Sequence, residues 1–292
     1  WKVGTGVKRG VDARGIGDHS DVVVLWGTNA VHTQVNLMHH VAHACKRNAK
    51  LVVVDPYRNA TAKRADLHIM LQPGSDGALA TTLMHILLKE GLADRDYLAE
   101  FTDFSAELET HLDDKTPEWG EAITGVPAAT IIEFARLIGQ NPKSYYRFGY
   151  GFTRSRNGAF NMHAASCLPA ITGAWKYKGG GALYSNAELF KLDKTLIVGS
   201  DVIDGNTRVL DQSRIGEILC GNPIDLQGGP PITGLLIQNT NPMMVSPSSL
   251  KVKKGFERND LFVCVHEQFM TDTAAMADIV LPATTFLEHE DI

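Results

Sequence analysis

The sequence predicts an α/β protein: two Rossmann-like parallel-sheet domains with helices on both faces, the second a pseudo-repeat of the first. Three observations predict it. Short, wholly apolar segments alternate with stretches of helical period. The turns after them carry Gly, Asn and Asp. A shift of 212 residues superposes two such stretches without an insertion.

A chain of 292 residues has room for about two domains at the usual domain size. Hydrophobic residues make up 44% and charged residues 21%, which excludes wholesale disorder. The net charge of −5 supplies no basic field for nucleic acid, and no apolar run approaches the roughly 18–20 residues of a spanning helix. Neither nucleic-acid binding nor membrane insertion is expected. The four cysteines stand far apart, with no CxxC pair and so no zinc ribbon or iron–sulfur motif. Reduced, buried thiols in a cytoplasmic protein are the expectation.

Residues 20–56 form one βαβ unit. Val22–Leu25 is an apolar strand and Trp26-Gly27-Thr28-Asn29 its turn. Residues 30–48 have helical spacing of Val31, Val35, Met38, Val41 and Cys45, and 51–54 are the next strand, ending on Asp55-Pro56. Residues 67–71 make a third strand, closed by Pro73-Gly74-Ser75-Asp76, with a helix over 78–90. The stretch 94–141 reads as mostly helical, with Pro127 opening its last helix. A strand at 145–148, the Gly149-Tyr150-Gly151 turn and a long segment over 157–175 follow, and the glycines at 179–181 read as a loop. Past Pro231, strands at 235–237, 261–265 and 279–281 restore the α/β rhythm, with a helix over 248–256. The domain boundary is placed near 145, giving domains 1–145 and 146–292.

Under the 212-residue shift, Thr28-Asn29 falls on Thr240-Asn241 and Asp55 on Glu267. The run 61–66 falls on 273–278 with T-A-x-x-A-D preserved. Only seven of the 41 positions in 26–66 are identical, so the pattern rests on where the matches fall, at strand ends. Ligands of open parallel sheets bind there, beyond the carboxyl ends of the strands. The turn at 26–29 precedes a helix whose first amides favour a diphosphate; Gly27 admits close approach and the Asn29 amide can donate to a phosphate oxygen. Asp55 is placed to hold ribose hydroxyls. Asp76 suits the adjacent N–H donors of a guanine. Neither GxGxxG nor GxxxxGK[ST] occurs at this turn, which counts against ordinary nicotinamide and P-loop sites.

W-G-x-N at Trp26, Gly27, Thr28 and Asn29, D-P-x-R-x-x-T-A-x-x-A-D from Asp55 and P-G-S-D-x-A-L from Pro73 resemble the guanine-dinucleotide-binding half of molybdopterin oxidoreductases, the dimethyl-sulfoxide-reductase class. Gly149, Gly151, Arg154, Asn157, the run 168–173, Asn239-Thr240-Asn241-Pro242 and the run 266–274 match it too. The resemblance implies two molybdopterin guanine dinucleotides whose dithiolene sulfurs hold one Mo or W ion. Asn29, Asp55, Arg58, Gly74, Ser75 and Asp76 would serve the first nucleotide. Asn239, Thr240, Asn241, Glu267, Gln268 and Thr271, with the turn from Gly149 to Arg154, would serve the second or the pterins. One departure is Asp55-Pro56-Tyr57-Arg58, where the family has arginine directly after proline.

The resemblance also implies partners: an N-terminal region, often with an iron–sulfur cluster, that supplies the metal ligand, a C-terminal domain over the pterins, and an electron-transfer subunit. No metal ligand and no catalytic residue are assigned within this chain. His32, His39, His40 and His43 read as a polar helix face, lacking an HExxH carboxylate. Two other readings stand beside the enzyme: a non-catalytic scaffold like the iron–sulfur subunit of respiratory complex I, and a nicotinamide-dependent dehydrogenase.

Overall fold

The computed structural model describes residues 10–185 and 193–290. Its first sheet has five parallel strands in the order β3-β2-β1-β4-β5. They are β1 (Val22–Trp26), β2 (Lys50–Val54), β3 (Leu67–Ile69), β4 (Ser144–Phe148) and β5 (Gly181–Leu183). Every residue of β1 and β4 is buried, because helices cover both faces. Alternation divides the core in two: Val22, Val24 and Trp26 pack beneath the helices Asp76–Lys89, Ala128–Gln140 and Gly158–Ile171, while Val23 and Leu25 meet Leu37, Val41 and Ala44 of the opposite face.

Register sets the position of the site. Trp26 lies opposite Val54 on one side and Phe148 on the other, so the turns beginning at 27, 55 and 149 leave the sheet side by side. The strand order reverses between β1 and β4, the switch point where a ligand crevice opens in such sheets.

Local details depart from the sequence reading. The helix expected over 30–48 is two helices, Ala30–Thr33 and Val35–Lys46, broken at Gln34, whose side chain donates to the Thr28 hydroxyl. Pro127 caps the helix rather than opening it, and Pro117 occupies the first-turn position instead. The glycine loop at 179–181 runs into β5, a strand too short to show a period.

The boundary expected near 145 falls inside the first sheet, where β4 pairs with β1 and β5 with β4. The chain divides instead into units Trp1–Leu192 and Asp193–Ile292. An apolar strand opening at 144 looks the same in sequence whether it starts a new sheet or completes an old one. Among the described residues no single helix is long and apolar enough to cross a membrane.

The second unit holds β6 (Gly234–Gln238), β7 (Phe262–Glu267) and β8 (Ile279–Pro282), parallel and in that order. Each starts 212 residues after its counterpart among β1, β2 and β3. The short helices Ala62–Arg64 and Ala274–Met276 match in the same way. Hydrogen bonds repeat as well. Thr61 Oγ1 donates to Asn29 Oδ1 at 2.9 Å and accepts from the Val31 amide at 3.0 Å. Thr273 Oγ1 donates to Asn241 Oδ1 at 2.6 Å and accepts from the Met243 amide at 3.1 Å. Asp66 accepts from the Leu51 amide at 2.8 Å, and Asp278 from the Val263 amide at 2.7 Å.

Both threonines are fully buried, so losing either hydroxyl strands a half-buried donor and acceptor. Thr61→Val and Thr273→Val should each destabilise their own unit by about 1–3 kcal/mol. Denaturant unfolding, followed with a probe in each unit, measures both effects. Equal stability of variant and parent would show that the shared hydrogen bonds do not hold the turns.

Candidate functional site

The turn after β1 is held by its neighbours on both sides. Gly27 takes φ +66° and donates to the Val54 carbonyl at 2.8 Å. Gly149 N–H donates to the Trp26 carbonyl at 2.7 Å, and Gly151 N–H to the Gly27 carbonyl at 3.0 Å. A Cβ on Gly149 would stand 2.3 Å from the Gly27 oxygen, and one on Gly151 2.6 Å from it. Two backbone turns therefore touch with no room for side chains, bringing Gly27, Thr28 and Asn29 against Gly149–Gly151 at the switch point.

A cleft of about 230 Å³ opens beside this junction, lined by Gly27, Asp55, Gly74, Asp76, Gly151 and Arg154 among others. Asp76 is only 3% exposed there. Its Oδ1 accepts from the Trp26 indole at 2.7 Å. Burial pushes its carboxyl up to about 6; the indole hydrogen bond opposes that rise, and the neighbouring Asp55 adds to it. Asp55, half-buried at the end of β2, accepts from the Tyr57 amide at 2.9 Å. The loop between the acids is anchored from below: Asn157 and Asn161 both donate to the Gly74 carbonyl, and Asn161 Oδ1 accepts from the Gly77 amide at 3.0 Å.

The structure thus brings Gly27, Asp55, Gly74, Asp76, Gly151 and Arg154 together around one cleft. Thr28 and Asn29 line the adjoining groove. Three expected residues take other places. Trp26 is fully buried among Phe134, Phe148 and Phe152 and reaches the site only through Asp76. The Ser75 hydroxyl turns back to the Gln72 carbonyl at 2.6 Å. Arg58 is exposed and lines neither the cleft nor the groove.

In the second unit Asn239 takes φ +55°, 212 residues after Gly27, and Asn241 is fixed by Thr273. Thr240 is exposed beside them. Glu267 ends β7 as Asp55 follows β2, and its Oε1 accepts from the Gln268 amide at 2.7 Å. Gln268 donates to the Thr284 carbonyl, and Thr271 Oγ1 accepts from the Ala274 amide.

Sequence reasoning missed Asn161, Arg147 and Glu288. Glu288 is the shifted counterpart of Asp76, and its Oε2 accepts from the Thr285 amide at 2.8 Å. Extending the 212-residue shift past β8 finds it. Nothing local marks Asn161 or Arg147.

Among the described residues no group of three or more His, Cys, Asp or Glu side chains could hold a metal ion. His39 and His40 meet edge to face, and burial pushes the Cys167 thiol up to about 11, away from reactivity.

The family model described as molybdopterin oxidoreductase matches residues 13–292. The chain is 38% identical over its whole length to the probable oxidoreductase YoaE of Bacillus subtilis, covering 42% of that protein. It is 28% identical to formate dehydrogenase H of Escherichia coli over 94% of its length and 41% of that protein's. It thus spans about two-fifths of the curated relatives it matches. Among solved structures, acetylene hydratase from Pelobacter acetylenicus superposes with a TM-score of 0.68 at 22% identity, over 92% of this chain and 43% of that one. With the match reaching from Ala13 through both pseudo-repeated units, the chain belongs to the molybdopterin oxidoreductase family.

Proposed function

We propose that the chain is the cofactor-cradling part of a molybdenum or tungsten oxidoreductase. In this reading it takes two molybdopterin guanine dinucleotides, one at each unit, for two-electron chemistry on a small substrate. The observation that carries the reading is the repeated strut: Asn29 and Asn241, each tied to a buried threonine 32 residues on, sit at the tips of equivalent strands. An arrangement kept to the hydrogen bond while only seven of 41 side chains stay the same supports a shared ligand class.

The residues present fit such a group. A cleft bearing two carboxylates, one of them 3% exposed, suits the paired N–H donors of guanine and the hydroxyls of ribose. Bound, the metal and its pterins would supply the two-electron exchange; the chain's own part is to bind and orient. Turnover would also need partners: the regions outside the matched two-fifths of the relatives, and an electron-transfer subunit.

Titrating the chain with GDP in a calorimeter tests the reading. Two equivalents should bind, and Asp76→Asn should weaken the first-unit event by about tenfold or more. No binding by the parent chain would overturn it.

The same variant has a pH signature. The Asp76 carboxyl rises on folding from an ordinary 3.8 to about 6, so the folded state holds the proton more tightly. Its contribution to stability is present in full below about 4 and is lost as pH rises through about 6. Asp76→Asn should therefore be more stable than the parent at pH 7.5, by about 3 kcal/mol at most, and gain little at pH 4. A pair of thermal melts at the two pH values reads this difference. A carboxylate that costs folding free energy at neutral pH is expected where a ligand uses it.

A further inference from the structure

Arg147, near the end of β4, is 7% exposed. Its Nη1 donates to the carbonyl oxygens of Phe148, Leu183 and Tyr184, which fixes the guanidinium plane. Its Nε and Nη2 make no hydrogen bond among the described residues, and no carboxylate there pairs with it. The charged-capable groups that bear on it are the hydroxyls of Tyr145, Tyr150 and Tyr184. A guanidinium removed from water with no counter-charge is costly, unless a ligand supplies the anion.

Arg147 lines two adjoining spaces. One is the groove along Gly27, Thr28 and Asn29, about 660 Å³. The other, about 420 Å³, also holds Arg14 and His40 and lies at the start of the Val35–Lys46 helix, which no side chain caps. Neither lining contains an acid. The acids lie in the other cleft, Asp55 after β2 and Asp76 after β3.

Arg14 is itself paired with Asp12, and the acidic cleft also holds Arg154, so the buried cation of the groove beside Gly27, Thr28 and Asn29 is Arg147. We propose that Arg147 binds a phosphate group, its free Nε and Nη2 donors facing the diphosphate of a nucleotide whose base lies at Asp76 and whose ribose lies at Asp55. The proposal rests on the nucleotide reading above and adds to it a phosphate ligand. A fixed fork with two open donors matches two oxygens of one phosphate.

Three probes, guanosine, GDP and pyrophosphate, are titrated into the full chain and into Arg147→Gln and Arg147→Lys. The parent should bind GDP about tenfold or more tightly than Arg147→Gln does, with guanosine affinity equal in the two. Arg147→Lys should recover part of the loss, since it keeps the charge without the fork.

The guanidinium ¹⁵N resonance of Arg147 in the parent chain gives a readout that needs no stable variant. It should move with pyrophosphate and GDP and stay still with guanosine. GDP affinity unchanged in Arg147→Gln, or a resonance indifferent to pyrophosphate, overturns the proposal. Should pyrophosphate move the resonance while guanosine and GDP fail to bind, the phosphate site stands and the nucleotide reading falls. Free phosphate as the sole ligand would show the same pattern.

Discussion

One short hydrogen bond organises each unit. The first strand ends in a turn, the second in a loop, and nothing in sheet pairing fixes one against the other beyond the last ladder residue. Thr61 closes that gap by donating to Asn29 and accepting from the first helix behind it, and Thr273 does the same for Asn241. Because Asn29 spends its oxygen on the strut, its amide group is oriented and its donors stay available. The asparagine could not be replaced by aspartate with the same result: the oxygen is used inside, and only an amide then offers N–H outside.

That constraint explains why so much of the fold was legible in the sequence. Six of the seven positions that survive the 212-residue shift, Thr28-Asn29, Thr61-Ala62 and Ala65-Asp66, are the ones that make the turn, the strut and the strand-entry hydrogen bond of Asp66; the seventh, Val53, lies inside β2. The buried strand and helix faces between them are apolar, free to change so long as their period holds. The strand ends could therefore be found from a few polar residues, although helix and strand interiors share little identity.

The parts that were not legible lacked such markers. β5 is three residues, Gly181–Leu183, in a glycine-rich stretch, and its membership of the first sheet depends on pairing with β4, a contact at long range. Arg58, two residues past Pro56, is exposed and lines neither the cleft nor the groove. Trp26 carries the opposite lesson. Its position in the motif reflects the burial of an indole that holds Asp76, a role one step removed from any ligand. Asn161 works beneath the same loop from a helix more than eighty residues on, where no local pattern announces it.

The two units also show which requirement fixes a glycine. Gly27 and Asn239 are equivalent by the shift and both take a left-handed backbone, at φ +66° and +55°. Asparagine tolerates that conformation, so the dihedral alone does not demand glycine. In the first unit a Cβ at 27 would meet Phe152 at 2.7 Å and its amide nitrogen at 2.9 Å. The demand there comes from the returning 149–152 segment, which presses against the turn and closes the switch point. Asn239 is exposed and keeps a side chain. Glycine at 27 is thus the mark of two chain segments in contact, and that contact sets the acidic cleft on one side and the Arg147 groove on the other.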